Sequence, residues 1–261
     1  PDPAIDPAQG SSPEDYFNTV LYTGNGSTQS ITGVGFQPDL LWIKVRNVAD
    51  SHPIHDVLRP PTGGGKYPFL RPDSTAAEAV QTDNDSLHSL DADGFTVGYT
   101  NSPAWNQSGN SYVAWNWKAN GSGVSNTDGS ITSTVSANTE SGFSIVSYTG
   151  TGSDVLIGHG LDQKPQMIIT KNRDGAYSWT VTHFQMNGGS APADNGRMYL
   201  NSTGGYGVGS GLYDYAEFTD TVYSINGGDH NLNFSGEDYI AYCFHSVDGF
   251  SKFGSYTANT S

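Results

Sequence analysis

The chain repeats itself. Tyr22-Thr23-Gly24-Asn25-Gly26-Ser27 returns as Tyr148-Thr149-Gly150-Thr151-Gly152-Ser153, 126 positions later. Gly33-Val34-Gly35-Phe36 returns as Gly158-His159-Gly160-Leu161, and Leu40-Leu41-Trp42-Ile43-Lys44 as Met167-Ile168-Ile169-Thr170-Lys171. Ser108-Gly109-Asn110-Ser111-Tyr112-Val113-Ala114-Trp115 returns as Ser235-Gly236-Glu237-Asp238-Tyr239-Ile240-Ala241-Tyr242. The offset drifts only between 125 and 127, which predicts two copies of one unit of roughly 105 to 125 residues. That period exceeds the ~20–50 residues of solenoid repeats, and each unit is long enough to bury its own core. Residues needed by a shared fold should recur in both copies. Residues present in one copy are free for other work.

Only 14% of the residues are charged, while the chain holds 33 glycines and 15 tyrosines. Few charges and many turn formers favour short strands over helix bundles, and 12% aromatics argue against disorder. The predicted class is all-β, with two tandem antiparallel β-sandwich domains related by internal duplication. Residues 1–15, with four prolines, read as an extended arm. The sandwiches are placed at 16–122 and 142–248. Residues 123–141 have linker composition, yet Ser130-Ile131-Thr132-Ser133-Thr134-Val135-Ser136 alternates as a strand does. Residues 249–261 echo the start of the second copy, which predicts a closing strand or the opening of a third repeat. Asp73 to Val80, with Ser74 and Thr75 ahead of Glu78, is the best short-helix candidate.

The formal net charge is −15. Such a surface repels phosphate backbones and anionic bilayers, so neither nucleic acid nor membrane insertion is expected. No apolar run approaches the ~18 residues of a membrane-spanning helix, and the opening residues are neither basic nor apolar, unlike a signal peptide. The lone cysteine, Cys243, allows no internal disulfide and reads as a packed thiol in an apolar strand.

Catalytic patterns are scarce. A glycosidase needs two carboxyl groups about 5–9 Å apart, and no alternating acidic pair lies on a predicted strand. Glu237 and Asp238 are adjacent, so an extended chain points them to opposite faces. The expectation is therefore a non-enzyme. Asp83, Asp85, Asp91 and Asp93 hint at a calcium loop, but the second copy has no equivalent and aspartate–glycine is an ordinary turn pair. No cofactor is expected, with calcium the one candidate. The seven histidines show no zinc spacing. Lys44 and Lys171, retained inside a strand block, are expected to snorkel or pair with carboxylates, and Arg46 and Arg173 to form structural ion pairs.

Aromatics in polar loops are the more promising signal. Trp105, Trp179, Tyr206, Tyr213 and Tyr215 lie among Asn, Gln, Asp and Gly residues. Sugar rings stack their C–H faces on aromatic planes while neighbouring amides bind hydroxyls, so these five are the candidate glycan contacts. The alternative places the rings at core edges or at subunit contacts.

The blocks Tyr22-Thr23-Gly24-x-Gly26-Ser27, Gly33-x-Gly35-Phe36-x-Pro38-Asp39-Leu40-Leu41-Trp42-Ile43-Lys44-x-Arg46, Phe95-Thr96-Val97-Gly98 and Ser108-Gly109-x-x-Tyr112-Val113-Ala114-Trp115-x-Trp117-Lys118-Ala119 resemble a repeated domain of tailed-bacteriophage structural proteins, notably phages of marine bacteria. The resemblance covers both copies. It implies a concanavalin-A-type, lectin-like jelly-roll sandwich on a tail fibre or other virion appendage, serving host-surface attachment. It also implies other virion proteins as partners, a homo-oligomer such as a homotrimer, a host polysaccharide ligand, and assembly in the bacterial cytoplasm before incorporation into the virion. It supplies no catalytic residues. Two rival readings are an architectural capsid or tail decoration without ligand, and a polysaccharide depolymerase.

Overall fold

The computed structural model describes residues 10–63, 65–81, 86–98, 102–186, 196–205, 207–208 and 218–256. Among them the regular structure is β-strand, apart from one 3₁₀ turn at Pro13–Asp15. No helix among the described residues is long and apolar enough to cross a membrane.

In the first half, β1 (Phe17–Thr23), β2 (Gln29–Thr32), β3 (Leu40–Val45), β4 (Ile54–Asp56), β5 (Pro68–Phe69), β6 (Ala79–Val80), β7 (Leu87–Asp91), β8 (Gly94–Val97) and β9 (Ser111–Trp117) follow in order. They pair as a four-stranded sheet β1-β9-β3-β4, a three-stranded sheet β2-β8-β7 and a short ladder β5-β6. In the second half come β10 (Val124–Asn126), β11 (Ser133–Asn138), β12 (Phe143–Thr149), β13 (Val155–Gly158), β14 (Met167–Asn172), β15 (Thr180–His183), β16 (Gly196–Tyr199), β17 (Gly207–Val208), β18 (Val222–Ile225) and β19 (Asp238–Phe244). They form an eight-stranded sheet, β10-β11-β12-β19-β14-β15-β16-β17, and a ladder β13-β18. All the named strand pairs are antiparallel.

Strand alternation places the cores. Successive side chains point to opposite faces of a sheet. Leu41, Ile43, Val45, Tyr112 and Ala114 share a core with Ile31, Leu87, Phe95 and Val97 of the three-stranded sheet. Val146, Tyr148, Ile168, Tyr239 and Ala241 share another with Val155, Ile157, Tyr223 and Ile225. The opposite faces of the two large sheets are apolar as well. Leu40 and Ile54 from the first half meet Phe143, Ile145, Trp179, Ile240 and Tyr242 from the second in a third core. Each half is thus β-sandwich-like, and the two large sheets also pack on each other.

The same contacts recur in the two halves. The strand orders β1-β9-β3-β4 and β12-β19-β14-β15 match. Tyr22 stacks on Tyr112 at 4.7 Å, and Tyr148 on Tyr239 at 5.1 Å. Tyr22 donates its hydroxyl to Trp105 O at 2.5 Å, and Tyr148 to Leu232 O at 2.7 Å. Asn106 Nδ2 donates to Ser27 O at 2.5 Å, and Asn233 Nδ2 to Ser153 O at the same distance. Gly24 and Gly150 lie where a Cβ would sit 2.3 Å from the carbonyl oxygens of Gln107 and Phe234, respectively. These recurring residues include the turn glycines and the asparagine of the repeated blocks.

Two expectations change. Asp73–Val80 is not a helix: Asp73 and Ser74 turn, and Ala79–Val80 pairs with Pro68–Phe69. Glu78 accounts for this, because its amide donates to Arg173 O at 2.8 Å and its carboxylate binds Arg173 and Arg59. Partners far along the chain override a weak local propensity. Within residues 123–141, where linker composition surrounds a strand-like alternation, β10 and β11 extend the large sheet and Val135 enters the second-half core. The described residues 249–256 add no closing strand to the sheet and make only the bridge Val247–Ser251. Phe253 instead packs on Phe244 at 5.8 Å.

Candidate functional site

Two of the five candidate aromatics are buried. Trp105 is 1% exposed, and its indole N–H donates to His55 Nε2 at 3.1 Å. His55 Nδ1 lies 2.8 Å from Pro68 O, a pure acceptor, which places the ring proton on Nδ1 and frees Nε2 to accept. Burial, reinforced by the Arg59 cation, pushes the His55 pKa down to about 3. Trp179 is 0% exposed and donates to Arg71 O at 2.9 Å, so it ties the second half to the first. Both indoles are therefore core residues rather than exposed sugar platforms, and Trp179 borders the apolar cavity between the two large sheets. Tyr206, Tyr213 and Tyr215 lie outside the described residues, as do Asp83 and Asp85.

Asp91 and Asp93 serve the β7–β8 turn. Asp91 accepts from Thr96 Oγ1 at 2.7 Å. Asp93 accepts from the amides of Gly33 at 3.1 Å and Gly35 at 2.6 Å, and these backbone donors lower its pKa. Gly33 and Gly35 have φ of +87° and +88°, a left-handed backbone that glycine adopts without strain. Among the described residues no group of three or more His, Cys, Asp or Glu could hold a metal ion.

The lysines of the strand block do not pair with carboxylates. Lys44 Nζ donates to Asp50 O at 2.9 Å. Lys171 is fully buried and donates to Asn172 O at 2.6 Å and Gly175 O at 3.0 Å. Each lysine pins the loop after its strand. Burial lowers the Lys171 pKa to about 8. Cys243 is buried in the second-half core, and desolvation raises its thiol pKa.

A buried charge network joins the halves. Arg59 Nε donates to Asp56 Oδ2 at 2.7 Å, and its other nitrogens reach Glu78 Oε2 at 3.3 Å, Ile54 O at 3.1 Å and Tyr242 Oη at 3.3 Å. Arg173, from the second half, grips Glu78 with two bonds of 2.8 and 3.0 Å. Asp56 and Arg59 are buried, and a desolvated ion pair is tolerated when its remaining polar positions are filled.

One difference between the halves lies at the surface beside the loop that Lys171 holds. The loop that Lys171 pins carries Tyr177, whose ring stacks on His230 at 4.8 Å and 15°. His230 stacks on Phe234 at 3.6 Å and 20°. Glu237 sits beside this column: its carboxylate lies 3.2 Å from His230 Nδ1 and accepts from Asn172 Nδ2 at 2.5 Å and Tyr239 Oη at 3.2 Å. Gly175 backs Tyr177, because a Cβ there would lie 2.1 Å from the ring. Phe234 closes the column and is 39% exposed. The first half has Asp50, Pro103, Gln107 and Asn110 where the second has Tyr177, His230, Phe234 and Glu237. The shared tyrosine pair, turn glycines and asparagine surround both versions. The arrangement can present an aromatic face next to a carboxylate, an imidazole and amide groups, a combination suited to a polyhydroxylated ligand.

The model of a domain of unknown function, DUF7483, matches residues 12–261. The chain belongs to the DUF7483 family. No curated protein and no solved structure matches it. The DUF7483 match runs through both halves, so it includes the Arg59 network, the core between the large sheets and the Phe234 column.

Loop-by-loop reading missed the column. The signal was available by comparing the copies: positions 103, 107 and 110 change class to His230, Phe234 and Glu237 inside an otherwise recurring block.

Proposed function

We propose that this chain is a non-enzymatic structural module of a tailed-phage virion appendage, built from two duplicated lectin-like sandwiches, and that its second half contacts host-surface glycan through the Phe234 column. The observation that carries the reading is the Tyr177–His230–Phe234 stack beside Glu237, which stands on a scaffold common to both halves but occurs in one. Support for duplication comes from the matching strand orders, tyrosine stacks and asparagine bonds. Support for a non-enzymatic role comes from the commitment of carboxylates to structure: Asp56 and Glu78 to arginines, Asp39 to the Ala119 amide, Asp93 to glycine amides. The buried network and shared third core suit a rigid element exposed to harsh surroundings.

A host capsule or surface polysaccharide, digested to oligosaccharides and titrated calorimetrically, tests the reading. Binding should fall at least about tenfold in Phe234→Ala, the loss of ~1.4 kcal/mol of stacking, while the melting temperature stays nearly unchanged because the ring is exposed. Unaltered affinity in both Phe234→Ala and His230→Ala, or no affinity for any host glycan, counts against it.

A further inference from the structure

We propose that β1 is a self-pairing edge, along which two copies of this chain join strand to strand about a two-fold axis at Val20. The second half shows what the first lacks. There β12, the counterpart of β1, pairs on its outer side with β11, through Thr134–Ser147, Ser136–Ile145 and Asn138–Phe143. Among the described residues β1 pairs with β9 alone and ends its sheet. Gly160 lies against the extra strand, since a Cβ there would meet Val135 at 3.0 Å and Ala137 at 3.2 Å. A Cβ on its counterpart Gly35 would meet nothing within 4 Å. The described residues that match the end of β11 are Gly10, Ser11 and Ser12, and they form no strand: Gly10 has φ of +89°, and Ser12 opens the 3₁₀ turn. Among the described residues, the first half therefore leaves a strand position open.

The strand's own chemistry says what fills it. Tyr16 O accepts from Lys118 N and Gly24 N donates to Asn110 O, which turns the even-numbered residues toward β9. Bonding along an antiparallel edge alternates, so Phe17, Thr19, Leu21 and Thr23 turn their backbone groups outward. Of these, the Thr19 amide bonds its neighbour's Asn18 Oδ1 at 2.8 Å, a local contact that an incoming carbonyl would replace. Natural edges are blocked by lysine, proline or a bulge. β1, Phe17-Asn18-Thr19-Val20-Leu21-Tyr22-Thr23, has none of these, and Leu21 is 64% exposed. A net charge of −15 sets copies repelling one another, yet an uncharged strand meets its own copy without opposing like charges. The strand also fits itself. With Val20 on the axis, Thr19 lies opposite Leu21 of the second copy and Phe17 opposite its Thr23, so every outward residue faces another. Two-fold pairing closes after two copies. Two four-stranded sheets would then form one of eight, the size the second half already builds. The edge is separate from the Phe234 column, so the two readings stand or fall independently.

Sedimentation of the whole chain from about 1 to 200 µM should show a monomer–dimer equilibrium. Leu21→Lys should leave monomer throughout, with a melting temperature at the lowest concentration close to native, because the side chain is exposed. Disulfide trapping reads the register. Thr19→Cys and Leu21→Cys change exposed positions, and the two variants should cross-link when mixed and oxidised. Neither should cross-link with itself, because like positions are diagonal neighbours about 7–8 Å apart, past the ~7 Å that a disulfide spans. Native Cys243 is buried and takes no part. The proposal is overturned if the native chain stays monomeric or forms trimers, if Leu21→Lys dimerises as the native chain does, or if self-linked pairs form as readily as mixed ones. A monomeric native chain that binds a peptide of the Ser133–Asn138 sequence would put a foreign strand in the open position, and overturns it equally.

Discussion

Tyr242 donates its hydroxyl to Asp56 Oδ2 at 2.7 Å, a bond between the last long strand of the second half and a short strand of the first. Arg59 holds the other side of the arrangement, so a carboxylate, a guanidinium and a phenol share one water-excluded site between the halves. Arg59→Met strips Asp56 of its cation and leaves a buried charge. Stability in urea at neutral pH should drop by about 3–5 kcal/mol. Tyr242→Phe removes the bonds to Asp56 and from Arg59 yet leaves the ion pair, and should cost less, about 1–3 kcal/mol.

Lys171 makes stability depend on pH. Its folded pKa is about 8, below the unfolded value of ~10.4, so between these pH values the unfolded chain binds more protons. Stability therefore rises with pH across that window, by up to roughly 3 kcal/mol from this group. Chemical denaturation of the native chain and of Lys171→Met at pH 7.5, 8.5 and 9.5 should show the native chain gaining relative to the variant as pH rises.

Gly24 and Gly150 test the common scaffold. A Cβ at either would collide with a backbone carbonyl at 2.3 Å, so relief requires main-chain movement. Gly24→Ala and Gly150→Ala should each lower stability by about 1–3 kcal/mol, and by similar amounts. A loss confined to one half would show that the recurring turns are not equivalent.

Trp105 and Trp179 should behave as core residues. Trp105→Ala and Trp179→Ala are expected to cost about 3–5 kcal/mol each, measured by thermal or urea unfolding. Any loss of ligand binding in these variants should track the unfolded fraction.

Much of the sheet framework was legible. Apolar runs such as Leu40–Val45 and Met167–Asn172, with turn glycines around them, mark the strands, and their recurrence marks equivalent positions. The joining of the halves was not legible. Leu40 and Ile169 read as ordinary strand residues, and nothing local tells that they face a shared core. The Asp56–Tyr242 bond spans 186 positions and has no local signature. Trp105 looked like a surface ring because its neighbours are polar, yet burial follows the fold rather than the neighbours. Leu232, an aliphatic residue at the same place in the second half, was the overlooked indication that the position belongs to the core.

The central claim is that the common scaffold carries shape and the second half's substitutions carry recognition. A single variant with His230→Pro, Phe234→Gln and Glu237→Asn gives the second half the residues of the first at those places. Calorimetric titration with host polysaccharide fragments, alongside a melting curve, compares it with the native chain. The account predicts a melting temperature within a few degrees of native and no measurable glycan binding. Glycan binding that survives the triple replacement would contradict it.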